Sequence, residues 1–390
     1  MKIKYLYSMP AVVFTVMTCL CCAYAADLEI IYFDHSGVLK FVESDRAPFY
    51  QVEACDELGG VWSNRWASLS NIITTNGLGV CVVPVDEQKM FFRIRSVYDD
   101  SSVPENMSQI IDGSFEMGDF FGEGDADESP VRTVTLSAYY MDNTEVSWAR
   151  WQDVYDWAVN HGYQFENAGS GKTGEHPVSN VNWYDCVKWC NARSEMEGLG
   201  PCYYEDSSFA VVYRKYTKKP VCDWSATGYR LPTEAEWEKA ARGTLNGRRF
   251  PLGDTIIHSN ANYYVQHVEG SIKYDYDLGP EIGYHPEYAE NGFPYTSPVG
   301  SFADNAYGLS DMDGNLYEWC WDYYAADYYA QGSSESDPRG PAGGTYRVYR
   351  GGCWDHDAKS GRNSSRHFTW PGGKDIRIGF RCVTGADDLP

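Results

Sequence analysis

Between residues 27 and 97 the apolar positions come in short runs broken by turn residues, as in LEIIYFD, VLKFVES and MFFRIRSV. Runs of this length, rich in β-branched and aromatic side chains, predict a small all-β domain. YDDSSVPENMS, residues 98–108, is polar and contains Pro104, so it is a linker by composition. The pattern then changes. VRTVTLSAYYM alternates, with Val134, Leu136, Ala138 and Tyr140 on one face, which predicts a strand. Ser147 caps a helix whose Trp151, Val154, Tyr155 and Ala158 share a stripe. A second helix is expected after Asn182, with Asp185 in its first turn and Trp183, Val187 and Cys190 facing inward. A third follows Thr233, which forms a capping box with Glu236. Past Arg242 the periodicity fades into loop and short strand, and so much irregular chain in one domain calls for staples or ions. No repeat of solenoid or propeller period is present.

The N-terminal segment MKIKYLYSMPAVVFTVMTCLCCAYAA puts Lys2 and Lys4 before an apolar run over residues 11–22 and the small-residue pattern Ala23-Tyr24-Ala25. A secretory signal peptide cut after Ala25 is expected, the run being short for a membrane span. No small-residue lipobox precedes Cys19, Cys21 or Cys22. Export would leave nine of the twelve cysteines in a disulfide-permissive compartment, an odd number. Cys55 and Cys81 are the expected staple of the β domain, and no paired C-x-x-C of the zinc type occurs.

At 390 residues the chain can hold two or three cores, and 43% apolar content without a long apolar run after the N-terminus describes a globular protein with no membrane span. A net charge of -23 disfavours nucleic acid and anionic membrane surfaces as partners. The acidic cluster EGDADE, residues 123–128, lacks the ligand spacing and glycine of an EF-hand and reads as a solvated loop.

Candidate chemistry concentrates in RGGCWDHDAKSGRNSSR, residues 350–366. Cys353 could act as a nucleophile with His356 as its base, or His356, Asp355, Asp357 and His367 could gather a hard metal. Against a nucleophile, acidic neighbours raise a thiol pKa. Arg362, Arg366 and Arg381 read as scaffold residues making ion pairs or loop contacts.

Seven segments occur in a fixed order: IDGSFEMGD, YYMDNTEVSWARW, HPVSNVNWYDCVKWCN, GYRLPTEAEWEKAARG, YGLSDMDGNLYEWCWDYY, RGGCW and IGFRCV. Together, across residues 110–384, they resemble the formylglycine-generating enzyme family, also called sulfatase-modifying factor domains. The resemblance implies an irregular α+β domain related to the C-type-lectin-like fold, poor in secondary structure and carrying calcium. In active members two cysteines hold copper, which activates dioxygen to convert a sulfatase cysteine to formylglycine. It further implies one calcium site at the Asp311 and Glu318 side chains with the Gly314 and Leu316 carbonyls. A second would use Asn262, Tyr263, Asn291 and Phe293, with neutral amides as its side-chain ligands. Cys190 and Cys382 match bridged positions, and Cys202 and Cys222 bracket an insertion close enough to clip. Cys320 and Cys353 are then left as a possible pair, with Cys186 a free thiol.

The family's two copper cysteines fall at His356 and Gly361 in this chain. Without two soft sulfur ligands a copper(I) centre is not expected. The resulting expectation is a secreted, calcium-stabilised binding or accessory module with a degenerate oxidase site, recognising a protein, peptide or glycan. The alternatives are a formylglycine-generating oxidoreductase acting on sulfatase cysteine, and a metal-dependent enzyme of another kind using His356.

Overall fold

The structure, a computed structural model, describes residues 104–266, 274–290, 292–331 and 334–385, together with the backbone of five strands within residues 29–97. The chain divides into two compact units after Ser101. In the first, β1 (Glu29–Phe33), β2 (Val38–Val42) and β4 (Leu78–Val82) form an antiparallel sheet in the order β1-β2-β4. β3 (Phe49–Cys55) pairs with β5 (Phe91–Val97), so Cys55 and Cys81 lie on strands of different sheets. Their side chains, and the expected signal peptide, lie outside the described residues.

The second unit departs from the sequence reading at its first strand. β6 (Met107–Ile110) begins inside the segment expected to be linker, because its backbone pairs with β9 (Tyr139–Asp142). The strand expected over VRTVTLSAYYM is in fact two. β8 (Arg132–Leu136) joins β7 (Gly113–Met117) and β13 (Ser334–Ser336), whereas β9 lies between β6 and β17 (Val383–Gly385) in another sheet. Ser137 makes the break: its amide and hydroxyl both donate to Asp337, at 2.7 and 2.9 Å, which turns the chain from one sheet to the next. β10 (Tyr203–Tyr204) and β11 (Val221–Cys222) close the insertion as a short antiparallel pair.

The helices follow the expected caps. α1 (Trp148–Asn160) starts where Ser147 accepts from the Arg150 amide, and buries Trp151, Val154 and Ala158. α2 (Trp183–Met196) starts where Asn182 accepts from the Asp185 amide at 2.9 Å. α3 (Glu234–Arg242) carries the full Thr233–Glu236 capping box and ends at Gly243, whose φ of 53° is the left-handed conformation that glycine tolerates best. Each such N-cap is worth about 1 kcal/mol. Six tryptophans, Trp151, Trp183, Trp189, Trp237, Trp319 and Trp354, are fully buried, and the Trp151 and Trp189 rings stack at 5.9 Å. Rings of this size supply much of the core area in a domain with few regular elements.

A mixed four-stranded sheet, ordered β15-β14-β12-β16, carries the loop of interest. β12 (Tyr317–Tyr323) runs antiparallel to β14 (Arg347–Arg350) and parallel to β16 (Ile378–Gly379); β15 (His367–Thr369) pairs with β14. The loop over residues 351–366 therefore leaves from β14 and returns into β15. Ion pairs fix both its ends. Arg350 meets Glu234 and Glu238 of α3, Arg362 grips Glu128 at 2.7 Å, and Arg366 grips Glu234 at 2.7 Å.

Candidate functional site

The loop turns sharply at Gly351 and Gly352, whose φ angles are 97° and 76°. A Cβ on Gly352 would lie 2.9 Å from the backbone of Gly361, so the close approach of the two loop arms requires glycine there. Cys353 follows, buried, with its Sγ 3.2 Å from His356 Nδ1. The structure thus does bring the candidate nucleophile and base together. Their electrostatics oppose the pairing. Burial pushes the Cys353 thiol far up, against a hydrogen bond from the Asp355 backbone, while burial and Arg377 hold the His356 imidazole below its ordinary value. Both shifts favour a protonated thiol beside a neutral imidazole over a thiolate–imidazolium pair.

The metal cluster considered around His356 does not assemble. Asp355 accepts from the Tyr284 hydroxyl at 3.0 Å and pairs with Arg377 at 3.3 Å. His367 faces the Ser365 hydroxyl through Nε2 at 3.1 Å, and burial with Arg350 nearby lowers its pKa to about 3, so the ring is neutral. Among the described residues no group of three or more His, Cys, Asp or Glu is arranged to hold a metal ion. The groove itself is real: a cavity of about 280 Å³ lined by His356, Asp357, Ser360, Ser365 and His367, with Asp125, Gln266, Asp355 and Lys359 at the remaining sides. Asp125 and Gln266 were not singled out from sequence because distant segments supply them, and Lys359, Ser360 and Ser365, though inside the 350–366 stretch, carry no local mark of facing the groove.

The two positions to which the resemblance assigns copper cysteines, His356 and Gly361, sit in this loop. His356 lines the groove, and Gly361 ends a short 3-10 turn over Ala358–Gly361. A Cβ at Gly361 would meet only ordinary contacts, the nearest 3.6 Å away at Asp313. There is room for a side chain and none is present. These residues do not fit a copper(I) ion held by two thiolates.

At the first expected calcium position, Asp311 adopts φ 57° and accepts from the Gly300 amide through Oδ2 at 2.6 Å. Its Oδ1 is buried without a partner among the described residues. Glu318 is turned away: Arg381 takes both its oxygens, at 2.7 and 2.8 Å, and the Trp237 indole shares one at 2.8 Å. Glu145, not singled out from sequence, stands beside them and accepts from the Leu316 amide and the Asn315 side chain. Burial, Asp311 and Glu318 together raise its pKa well above the carboxylate range. At the second position Asn262 Oδ1 is also buried without a partner among the described residues, while its Nδ2 donates to the Tyr295 carbonyl. The Tyr263 carbonyl meets His258 Nε2 at 3.0 Å, Phe293 is 63% exposed, and Asn291 lies outside the described residues.

The expected sulfur pairings are not shown. All seven cysteines from Cys186 to Cys382 are buried and unbridged in the structure. Cys190 and Cys382 face each other at 3.6 Å, well beyond the roughly 2.05 Å of a disulfide. Cys202 instead donates to the Gly228 carbonyl at 3.2 Å, beside Cys222 across the β10–β11 pair. Cys320 and Cys353 do not meet, since Cys320 points along its own strand to the Glu318 carbonyl.

Comparison with known proteins bears on the whole of this unit. The family model of the sulfatase-modifying factor enzyme 1-like domain matches residues 96–386. The formylglycine-generating enzyme of Streptomyces coelicolor is 33% identical over 299 residues, 70% of this chain and 88% of that protein. Serine/threonine-protein kinase pkn1 of Chlamydia pneumoniae is 30% identical over 299 residues, 71% of this chain but 37% of the kinase. Among solved structures, Treponema denticola variable protein 1 superposes with a TM-score of 0.54 at 29% identity, covering 73% of this chain and 95% of its own. CarF gives a TM-score of 0.51 at 27% identity, covering 72% and 98%. Among the described residues no helix is long and apolar enough to cross a membrane. With the ordered motifs, the α+β scaffold and the family model all meeting on one stretch, the chain belongs to the family of formylglycine-generating, sulfatase-modifying factor domains.

Proposed function

We propose that this chain is a secreted, calcium-stabilised member of the family that binds or assists a partner without oxidising it. One observation carries the reading: the two positions that hold copper in active members are an imidazole and a glycine, and the nearest sulfur, Cys353, is buried and protonated. A soft monovalent ion has no pair of thiolates to bind there.

Calcium suits a neighbouring part of the same scaffold, where Gly314 donates to the Gly351 carbonyl at 2.8 Å. Asp311 Oδ1 and Asn262 Oδ1 are both buried acceptors without donors among the described residues, and Glu145 is a further buried carboxyl that burial and Asp311 push toward its protonated form. A hard divalent cation bound by oxygens would satisfy such atoms, with the Gly314 and Leu316 carbonyls available in the same turn. Glu318, engaged by Arg381, would take part only by sharing an oxygen. The signal-like N-terminus supports export.

The test is direct. Purified protein, copper and oxygen are incubated with a peptide bearing Cys-x-Pro-x-Arg, and aldehyde is sought by mass spectrometry. None is expected. Aldehyde formation lost in Cys353→Ser would replace this reading with an oxidoreductase.

A further inference from the structure

The groove beside His356 has a polar lining, and an aromatic cluster is joined to one of its residues, Asp355, through the Tyr284 hydroxyl. In the lining, most charges are already matched. Lys359 holds Asp125 at 2.8 Å and Arg377 holds Asp355 at 3.3 Å. Asp357 has no cation within ion-pair distance among the described residues and accepts a long 3.5 Å bond from the Ser360 hydroxyl. His356, its Nδ1 engaged with the Cys353 sulfur, keeps Nε2 as a second hydrogen-bonding nitrogen.

The aromatic cluster starts at Asp355. Tyr284 donates to Asp355, which lines the groove, and packs 4.8 Å from Tyr295 and 5.8 Å from Trp354. Phe293 lies 4.5 Å from Tyr295 and 5.5 Å from Trp354, yet is 63% exposed. Trp354 is itself 1% exposed, and its indole N–H has no partner among the described residues. A large aromatic ring left facing solvent, 6.1 Å from Tyr284 and through it joined to the groove residue Asp355, marks a surface with something to cover it.

The lining selects among ligands. An anion would face three carboxylates, Asp125, Asp355 and Asp357. A wholly apolar molecule would strip water from the serines, the imidazole and Asp357 without returning hydrogen bonds. A neutral sugar offers both surfaces required: C–H faces to pack on rings, and hydroxyls that donate to a carboxylate and hydrogen-bond with an imidazole nitrogen. A cavity of about 280 Å³ is of a size to admit one sugar ring.

Building on the reading of a non-oxidising binding module, we propose that this groove binds a neutral sugar residue of a glycan, with Phe293 and Tyr284 against the ring face and Asp357 and His356 on its hydroxyls. The full chain is screened on an array of neutral, sialylated and sulfated glycans, and the strongest neutral ligand is then titrated by calorimetry. Binding to neutral glycans is expected, weakened roughly tenfold or more in Phe293→Ala and again in Asp357→Asn. Both residues are accessible, so both variants should keep the parent melting temperature, which is measured alongside. An empty array, binding confined to acidic glycans, or neutral binding untouched by both substitutions would each overturn the proposal. So would preferential capture of a lysine-rich peptide lost in Asp357→Asn, which would assign the groove to a cation. The aldehyde assay is a separate readout: a protein silent in both experiments loses the glycan proposal and keeps the non-oxidising reading.

Discussion

Two buried charged regions of this domain solve the same problem differently. Around α3, Glu128, Glu234 and Glu238 are deeply buried, and each of their six carboxylate oxygens has a donor. Arg362 and Ser364 serve Glu128, Arg366 serves Glu234, and Arg350, Arg242 and the Gly118 amide serve Glu238. Around Asp311 four carboxylates, Glu145, Asp311, Asp313 and Glu318, are buried near one guanidinium, Arg381, which spends itself on Glu318. The consequence is visible in proton affinity. Arg366 and Arg350 outweigh burial and lower the pKa of Glu234, whereas burial raises Asp311 to about 6 and Asp313 to about 8. Buried carboxylates are tolerated where guanidinium forks meet them, and elsewhere they need another cation or a proton.

The largest effect should come from breaking the closed region. Arg366→Ala strands Glu234 without its bidentate partner, and removing one member of a buried pair costs about 3–5 kcal/mol. The expected outcome is a loss of soluble protein, or a melting temperature lowered by many degrees whether or not calcium is present. A variant that melts with the parent would show that the arginines around α3 are not what holds the loop.

Next in size is a pH effect inside the same region. Asp322 accepts from the Glu234 amide at 2.8 Å but has no arginine of its own, and burial with Glu234 and Glu236 nearby raises its pKa to about 8. Because the folded pKa exceeds the unfolded one, near 3.9, the folded state binds the extra proton between those values. Stability from this group is therefore full at low pH and declines as pH rises toward 8, by at most about 1.4 kcal/mol per pH unit. Asp322→Asn keeps an acceptor for the Glu234 amide and removes the titration. Denaturant midpoints measured from pH 5 to 8 should fall less steeply in the variant, and parallel curves would remove Asp322 from the account.

Calcium tests the open region. Chelation should lower the melting temperature, since a ligand at 100 times its dissociation constant contributes about 2.7 kcal/mol. Asp311→Ala should reproduce most of that loss and make the protein insensitive to chelator. Equal melting curves with and without chelator would leave the orphaned oxygens of Asp311 and Asn262 unexplained by calcium.

How much of this could be read from the chain differs between the same two regions. The helix caps at Ser147, Asn182 and Thr233 were legible because each depends on residues three apart. The motif order gave the family and its fold. The arginines were legible as scaffold, though not their partners, which lie up to 239 residues away. What could not be read was long-range geometry. β8 and β9 separate because Asp337, 200 residues on, captures Ser137. Glu318 looked like a metal ligand by position, and only the folded chain shows Arg381 and Trp237 holding it. Glu145 lay inside a quoted motif and carried no local mark of its role.

The smallest effect is expected at Cys353, which sits on the loop that the α3 arginines fix, and it separates a nucleophile from a packing residue. A serine there keeps a donor for His356 Nδ1 in nearly the same volume, so Cys353→Ser should change stability by about 1 kcal/mol or less. The parent thiol, buried and with its pKa pushed far up, should resist iodoacetamide in the folded protein and react only after unfolding. An activated cysteine would behave in the opposite way, alkylating fastest in the native state and losing that advantage in His356→Ala. Such a result would mean that the His356 ring takes the thiol proton despite burial and Arg377. The groove would then hold a charged pair whose negative sulfur has Arg377 to favour it, a guanidinium already shared with Asp355 and Asp375.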